Sequence, residues 1–296
     1  METLLAHSFD YLSSYETGKI RKGLRQVEGL LAQICLSKSK LKPDRRKSYL
    51  ATEEQPVPKG LSELRDDPAF REFFKLQEGF QWNVAMRLVS CLERLLGRGT
   101  SGTNDILIVC TLDLIQGALL LHPPSRTLFA REIYMNLLLD LLDPINCPAI
   151  QSATLLTLVT ALIDCPVNTR TFEDLDGLLT VTSLFKQRAT SREVKLKLVE
   201  FLYFYLMPET PILSPNTGIG ANSSAIASPT ALQRIPSKMP SRPQSSHTNA
   251  SGPTSKVLRD TRTTDEKQAL LGRYLNNVED LVEDLKETAP FGATVY

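Results

Sequence analysis

The chain has 296 residues, 42% of them hydrophobic and 23% charged, the balance of a soluble globular protein with one or two domains. Its 34 basic and 33 acidic residues leave a net charge of +1, which excludes broad electrostatic attraction to nucleic acid or an anionic membrane. Cys35, Cys91, Cys110, Cys147 and Cys165 form no CxxC pair and are odd in number, so reduced thiols of a cytosolic or nuclear protein are expected, not a disulfide framework.

The opening Met1-Glu2-Thr3-Leu4-Leu5 has no basic start and no long apolar run, so it does not read as a secretory signal. A first amphipathic helix is predicted over 17–37. Ile20, Leu24, Val27, Leu31 and Ile34 recur there at steps of four and three, which puts them on one face. Lys19, Arg21, Lys22 and Arg25 lie largely off it and read as a solvated face.

Residues 39–66 read as a connector, because Lys-rich and Pro-rich pieces replace the apolar period. Asp67-Pro68 then signals an N-cap followed by proline at the first helical position. Trp82 and the cluster Phe70, Phe73, Phe74 and Phe80 are expected to seal the start of the helical domain.

From there helices are predicted to begin near 82, 103, 125, 147, 170 and 190. Every second start recurs after 43 to 45 residues, the period of helix pairs in armadillo or HEAT repeats. Pro123-Pro124, Pro144, Pro148 and Pro166 punctuate the turns, and Thr190 with Glu193 reads as a capping box. The helices at 103 and 147 are apolar almost all round and need covering on most sides. The longest apolar run, 106–121, is shorter than a membrane span and is broken by Asp113 and Gln116, so it reads as a buried helix. In the helix at 147–163, Gln151, Thr154, Thr157 and Thr160 form an uncharged stripe. It reads as inter-helix packing or, because charge depletion marks interface centres, as a partner face.

Residues 207–263 are dominated by Pro, Ser, Thr, Gly and Asn, too polar to offset the entropy of ordering, and are predicted to be a disordered linker. Thr210-Pro211, Ser214-Pro215 and Ser228-Pro229 are proline-directed phosphorylation candidates, and Ser237 follows Arg234 as a basophilic one. A C-terminal amphipathic helix is predicted over 264–288, with Leu271, Tyr274, Val278, Leu281 and Leu285 as its apolar stripe and an acidic opposite face. Docking back onto the repeat domain is expected; capture by a partner is the alternative. Residues 289–296 are a tail.

The search for chemistry ends without a site. Gly97-Arg98-Gly99-Thr100-Ser101-Gly102 matches GxGxxG, but a predicted helix precedes it where the dinucleotide fingerprint needs a strand. It reads as an inter-helix loop. No GxxxxGK[ST] is present. His7, His122 and His247 stand far apart with no zinc spacing, and His122 before Pro123 reads as a loop residue. Asp113 and Asp164 read as packing-edge acids, since neither has a partner at useful spacing. No cysteine is followed six positions later by arginine, as a phosphatase loop requires; Arg170 follows Cys165 by five. No cofactor and no catalytic residue are expected.

Two segments carry a family resemblance. Gly23-Leu24-Arg25-Gln26-Val27-Glu28-Gly29-Leu30-Leu31-Ala32-Gln33-Ile34-Cys35-Leu36 is the first. The second is Leu271-Gly272-Arg273-Tyr274-Leu275-Asn276-Asn277-Val278-Glu279-Asp280-Leu281-Val282-Glu283-Asp284-Leu285, continuing to Pro290-Phe291-Gly292. With the helices between, the chain resembles the fungal cell division control protein 14 family, a septation initiation network component. The resemblance implies a non-catalytic subunit of a germinal-centre-class protein kinase at the spindle pole body, promoting septation and cytokinesis. It does not imply the dual-specificity phosphatase of the same name, whose Cys-x5-Arg loop is missing. The expected fold is an all-α, armadillo/HEAT-like solenoid. The alternatives are a general scaffold or adaptor for another cargo protein, and an enzyme using the Gly97–Gly102 loop.

Overall fold

The structure is a computed structural model that describes residues 1–36, 57–97, 102–209, 261–280 and 283. The described residues are all-helical, with no strand and one isolated bridge between Leu36 and Pro58. Helix α1 (Glu2–Leu12) was not among the expected elements. Its signal is short: Leu5, Phe9 and Leu12 recur at steps of four and three and are buried. Helix α2 (Thr17–Cys35) buries the expected stripe and packs on α1. Gly23 permits that approach, because a Cβ there would lie 3.0 Å from the Leu12 nitrogen and the Ser8 carbonyl.

The predicted connector reaches too far, since α3 (Leu61–Asp66) falls inside it. Its residues 39–56 lie outside the described residues. Helix α4 (Pro68–Gln77) starts as predicted, with Asp67 accepting from the Ala69 N–H at 2.7 Å. Lys59 joins Asp67 to the end of α2, pairing with the carboxylate and donating to the Ile34 carbonyl at 2.8 Å. The Lys59 hydrogen bond, with the backbone N–H of Ala69, holds the Asp67 carboxyl below its usual range. Phe73 is fully buried and Phe9 meets Trp82 at 6.4 Å. Phe80 departs from the predicted seal and stands exposed.

Helices α5 (Val84–Leu96), α6 (Asp105–Leu121), α8 (Pro148–Leu162) and α11 (Arg192–Leu206) match the predicted elements at 82, 103, 147 and 190. The long helices begin at Asp105, Pro148 and Arg192, 43 and 44 positions apart. The elements predicted at 125 and 170 are each two pieces: a 3-10 helix (Pro123–Ala130) with α7 (Glu132–Asp140), and α9 (Pro166–Asp174) with α10 (Gly177–Lys186). The second break has a visible cause. Asp176 adopts a left-handed φ of 56°, and a Cβ on Gly177 would meet the Phe172 ring at 2.3 Å. The predicted capping box does not form, because the cap falls one residue later and puts Val194, not Glu193, at the third helical position. Ser191 caps α11, accepting from the Val194 N–H at 3.3 Å, while Thr190 donates to the Leu184 carbonyl at 2.7 Å.

Helices α2, α6, α8 and α11 lie side by side in that order; α5 packs on α6 and α1. Hydrogen bonds between successive units repeat the period. Asn168 Nδ2 donates to the Arg126 carbonyl 42 positions away, Thr171 Oγ1 to the Ala130 carbonyl at 41, and Gln116 Nε2 to Thr157 Oγ1 at 41. His122 lies between α6 and the 3-10 helix, as its place before Pro123 predicts, and is buried there, with Nδ1 2.7 Å from Ser125 Oγ and its ring edge-on to Phe74. Among the described residues, α11 is followed by α12 (Thr264–Leu271), capped by Thr263 and Glu266 and packed on α11. The predicted single helix over 264–288 breaks after Leu271: a turn spans Gly272–Tyr274 and helix returns at 278–280.

Candidate partner-binding surface

Helix α8 carries no charged residue in any of its 15 positions, so its sequence does not say which face is turned outward. The structure does. Gln151, Thr154, Thr157 and Thr160 are buried. The three threonine hydroxyls donate to carbonyls one turn back, Ile150, Ala153 and Leu156, at 2.7 to 2.9 Å. Gln151 Nε2 donates to the Asp143 carbonyl at 3.0 Å, and Gln116 of α6 reaches Thr157 Oγ1 at 3.2 Å. This stripe is a packing seam between helices, and the partner-face reading of these four residues is corrected.

The outward face of α8 is a different one: Ala149, Leu156 and Ile163 are exposed and Ser152 and Val159 half-buried. On neighbouring α6 the exposed positions are Ile106, Cys110, Asp113 and Leu120, again one helical face. Ile106 is 73% exposed, Leu120 60%, Leu156 41% and Ile163 37%. These nine positions on two adjoining helices thus present one charge, Asp113. Partial burial raises the Asp113 carboxyl above its usual range, and it raises the Cys110 thiol as well. Arg21 and Glu28 of α2 act on Cys110 electrostatically, so charged α2 borders this apolar strip. On its other side α8 packs on α11, which carries the Lys197–Glu200 pair at 2.7 Å. An apolar centre with a charged margin is the anatomy of a protein contact surface.

A second constellation closes the end of the stack. Glu209, just past α11, pairs with Arg170 of α9 and with Lys267 of α12 at 3.2 Å. Glu173 receives Arg170 at 3.3 Å, Arg262 at 3.0 Å and the Tyr205 hydroxyl at 2.8 Å. Lys267 also donates to the Met207 carbonyl at 2.9 Å. Three cations and two carboxylates therefore share one largely buried cluster. Burial lowers the Lys267 ammonium below its usual range although Glu209 opposes this, and burial with the Glu173 charge raises the Tyr205 hydroxyl. The cluster ties residues 261–267 to α9 and α11, and Lys186 donates to the Tyr274 carbonyl further along.

The C-terminal stripe residues Leu271 and Val278 are buried and Tyr274 is half-buried against the core, joined by Leu275. They dock as expected, though not along one helix. Leu281 and Leu285 lie outside the described residues, as do Thr210, Ser214, Ser228 and Ser237. The Gly97–Gly102 motif falls between two helices, α5 and α6, with positions 98–101 outside the described residues. Asp164 pairs with Arg126 at 3.8 Å and takes a left-handed φ of 53°. Among the described residues no group of His, Cys, Asp or Glu is placed to hold a metal ion, and no helix is long and apolar enough to cross a membrane. Sequence reasoning missed the exposed α6 and α8 faces. It also missed Glu209, Arg262 and Lys267, whose pairing spans dozens of positions and leaves no local pattern.

The fold and surface define an all-helical protein with stacked long helices and a largely apolar exposed face. A family model, "Cell division control protein 14, SIN component", matches residues 1–291, and the chain belongs to that family. It is 29% identical over 301 residues to "Cell division control protein 14" of Schizosaccharomyces pombe (strain 972 / ATCC 24843), covering 99% of this chain and 97% of the relative. No solved structure matches it. As a family of the septation initiation network, it places this chain's role in septation.

Proposed function

We propose that the chain is a non-catalytic regulatory subunit with an armadillo-like solenoid, which binds a germinal-centre-class protein kinase of the septation initiation network. In this reading it promotes septum formation and cytokinesis, and it acts in the cytoplasm with recruitment to the spindle pole body. The 43-residue recurrence of a short element, a middle helix and a long helix supports the solenoid. The exposed apolar face of α6 and α8 is the observation that carries the binding role. A partner that meets this face better in one of its conformations would be biased towards that conformation. Phosphorylation at Thr210, Ser214, Ser228 or Ser237 would add negative charge to a basic linker and tune its contacts.

The test is co-expression with a germinal-centre-class kinase, followed by size exclusion and a kinase assay. The native chain is expected to co-elute with the kinase and change its activity. Ile106→Asp with Leu156→Asp should abolish co-elution while leaving helical content intact, since both side chains are exposed. Co-elution that survives both changes would remove this face; absence of any kinase association by the native chain would remove the reading.

A further inference from the structure

The face lined by α5, α7 and α10 has a character unlike that of α6 and α8. Two grooves of about 460 and 660 Å³ run along it and join at Asn136 and Asp140. Their walls carry four carboxylates, Glu93, Glu132, Asp140 and Asp143, and no lysine or arginine. None of the four forms an ion pair among the described residues. Apolar side chains lie between them, with Ile133 61% exposed and Leu179 45% exposed. Such a groove is complementary to a chain segment that alternates cations with apolar residues.

The sequence holds one whose attachment points adjoin the groove. Residues 210–260 contain five cations, Arg234, Lys238, Arg242, Lys256 and Arg259, against one acid, Asp260. Three of the five fall in Ala231-Leu232-Gln233-Arg234-Ile235-Pro236-Ser237-Lys238-Met239-Pro240-Ser241-Arg242, interleaved with Leu232, Ile235 and Met239. Both ends of the 210–260 segment leave the fold at the ion cluster: Glu209 pairs with Arg170, and Arg262 with Glu173 at 3.0 Å. Glu173 is two residues from Leu175, which lines the larger groove. Reach is no obstacle, because the 24 residues from Lys238 to Arg262 extend up to about 80 Å. The other basic stretch, Lys38 to Lys47, leaves the fold elsewhere, where Lys59 meets the end of α2.

We infer that the acidic groove across α5, α7 and α10 is the intramolecular docking site of the basic segment 231–242. The cations of that segment pair with Asp140, Asp143 and Glu132, and its apolar residues cover Ile133 and Leu179.

Zero-length carbodiimide coupling on the full chain tests this, because it joins an amine to a carboxylate only where the two are in contact. Peptide mass spectrometry is expected to find Lys238 coupled to Asp140, Asp143 or Glu132. Mixing isotopically heavy and light chains should show the coupling within one molecule. In R234E/R242E both coupling groups are intact, and the cross-link is expected to be lost. No coupling of Lys238 to these acids would overturn the proposal. So would coupling of Lys38, Lys40, Lys42 or Lys47 in its place, coupling mainly between molecules, or an undiminished yield in R234E/R242E.

Discussion

Glu209 and Arg262 stand 53 positions apart and bond to each other twice: the Arg262 N–H donates to Glu209 Oε2 at 2.9 Å, and the Glu209 N–H donates to the Arg262 carbonyl at 3.1 Å. The long segment between them is thereby closed at its base. The strap that follows is held to α11 by side-chain contacts that do not depend on the course of the loop.

Glu209→Gln should loosen that strap. The change leaves Arg170 and Lys267 short of a buried countercharge, and breaking a buried pair from one side costs about 3–5 kcal/mol. Hydrogen exchange is expected to speed up across 264–275 while the amides of α6 and α8 keep their protection. Uniform acceleration through all helices would show that the strap is not a separate closing element.

The Thr157 pair of substitutions separates packing from contact. Thr157→Val keeps the shape of the seam and loses two hydroxyl hydrogen bonds, the one donated to the Ala153 carbonyl and the one accepted from Gln116, so a denaturation shift of about 1–3 kcal/mol is expected. Thr157→Asp puts an unpaired charge where the side chain has no solvent exposure and should abolish cooperative unfolding. A soluble, fully folded aspartate variant would mean that the α6–α8 seam opens to water.

Gly177→Ala tests the break between α9 and α10. An added Cβ would collide with Phe172, which is fully buried, so overpacking should cost about 1–3 kcal/mol. The urea midpoint reads it. Since Asp176 holds the left-handed conformation next door, Asp176→Gly is expected to be neutral or stabilising.

His122 sets a pH dependence. Burial lowers its pKa in the folded chain, with the Glu78 charge opposing, and Nε2 is buried without a hydrogen-bond partner. An unfolded histidine titrates near about 6.5, so below that value the unfolded chain binds the proton more readily. Stability from this group is therefore complete above about pH 6.5 and falls as pH drops towards the lower folded pKa. Unfolding midpoints measured from neutral to mildly acid pH should fall more steeply for the native chain than for His122→Gln. Parallel curves would assign the acid sensitivity to other groups.

The sequence carried its own evidence for the helical class, the 43-residue period of the long helices and the stripe of α2, because 3.6-residue periodicity and proline punctuation are local signals. It also carried the Asp67-Pro68 start, whose cap acts within three residues. The splitting of the elements at 125 and 170 was not legible, since the break at Gly177 depends on where Phe172 is packed. Nor was the length of the C-terminal helix: the stripe from Leu271 to Val278 buries as predicted but is divided by a turn.

The orientation of α8 marks the boundary most clearly. Its residues are uncharged on every side, so charge does not tell the Thr157 face from the Leu156 face. Only the positions of α6 and α11 decided that the threonine face is buried and the leucine face exposed, because burial of an all-apolar helix is set by its neighbours and not by its own pattern. The ion cluster of Glu209 with Arg170 and Lys267 obeys the same logic. Charges far apart in the chain meet only once the helices that carry them have stacked.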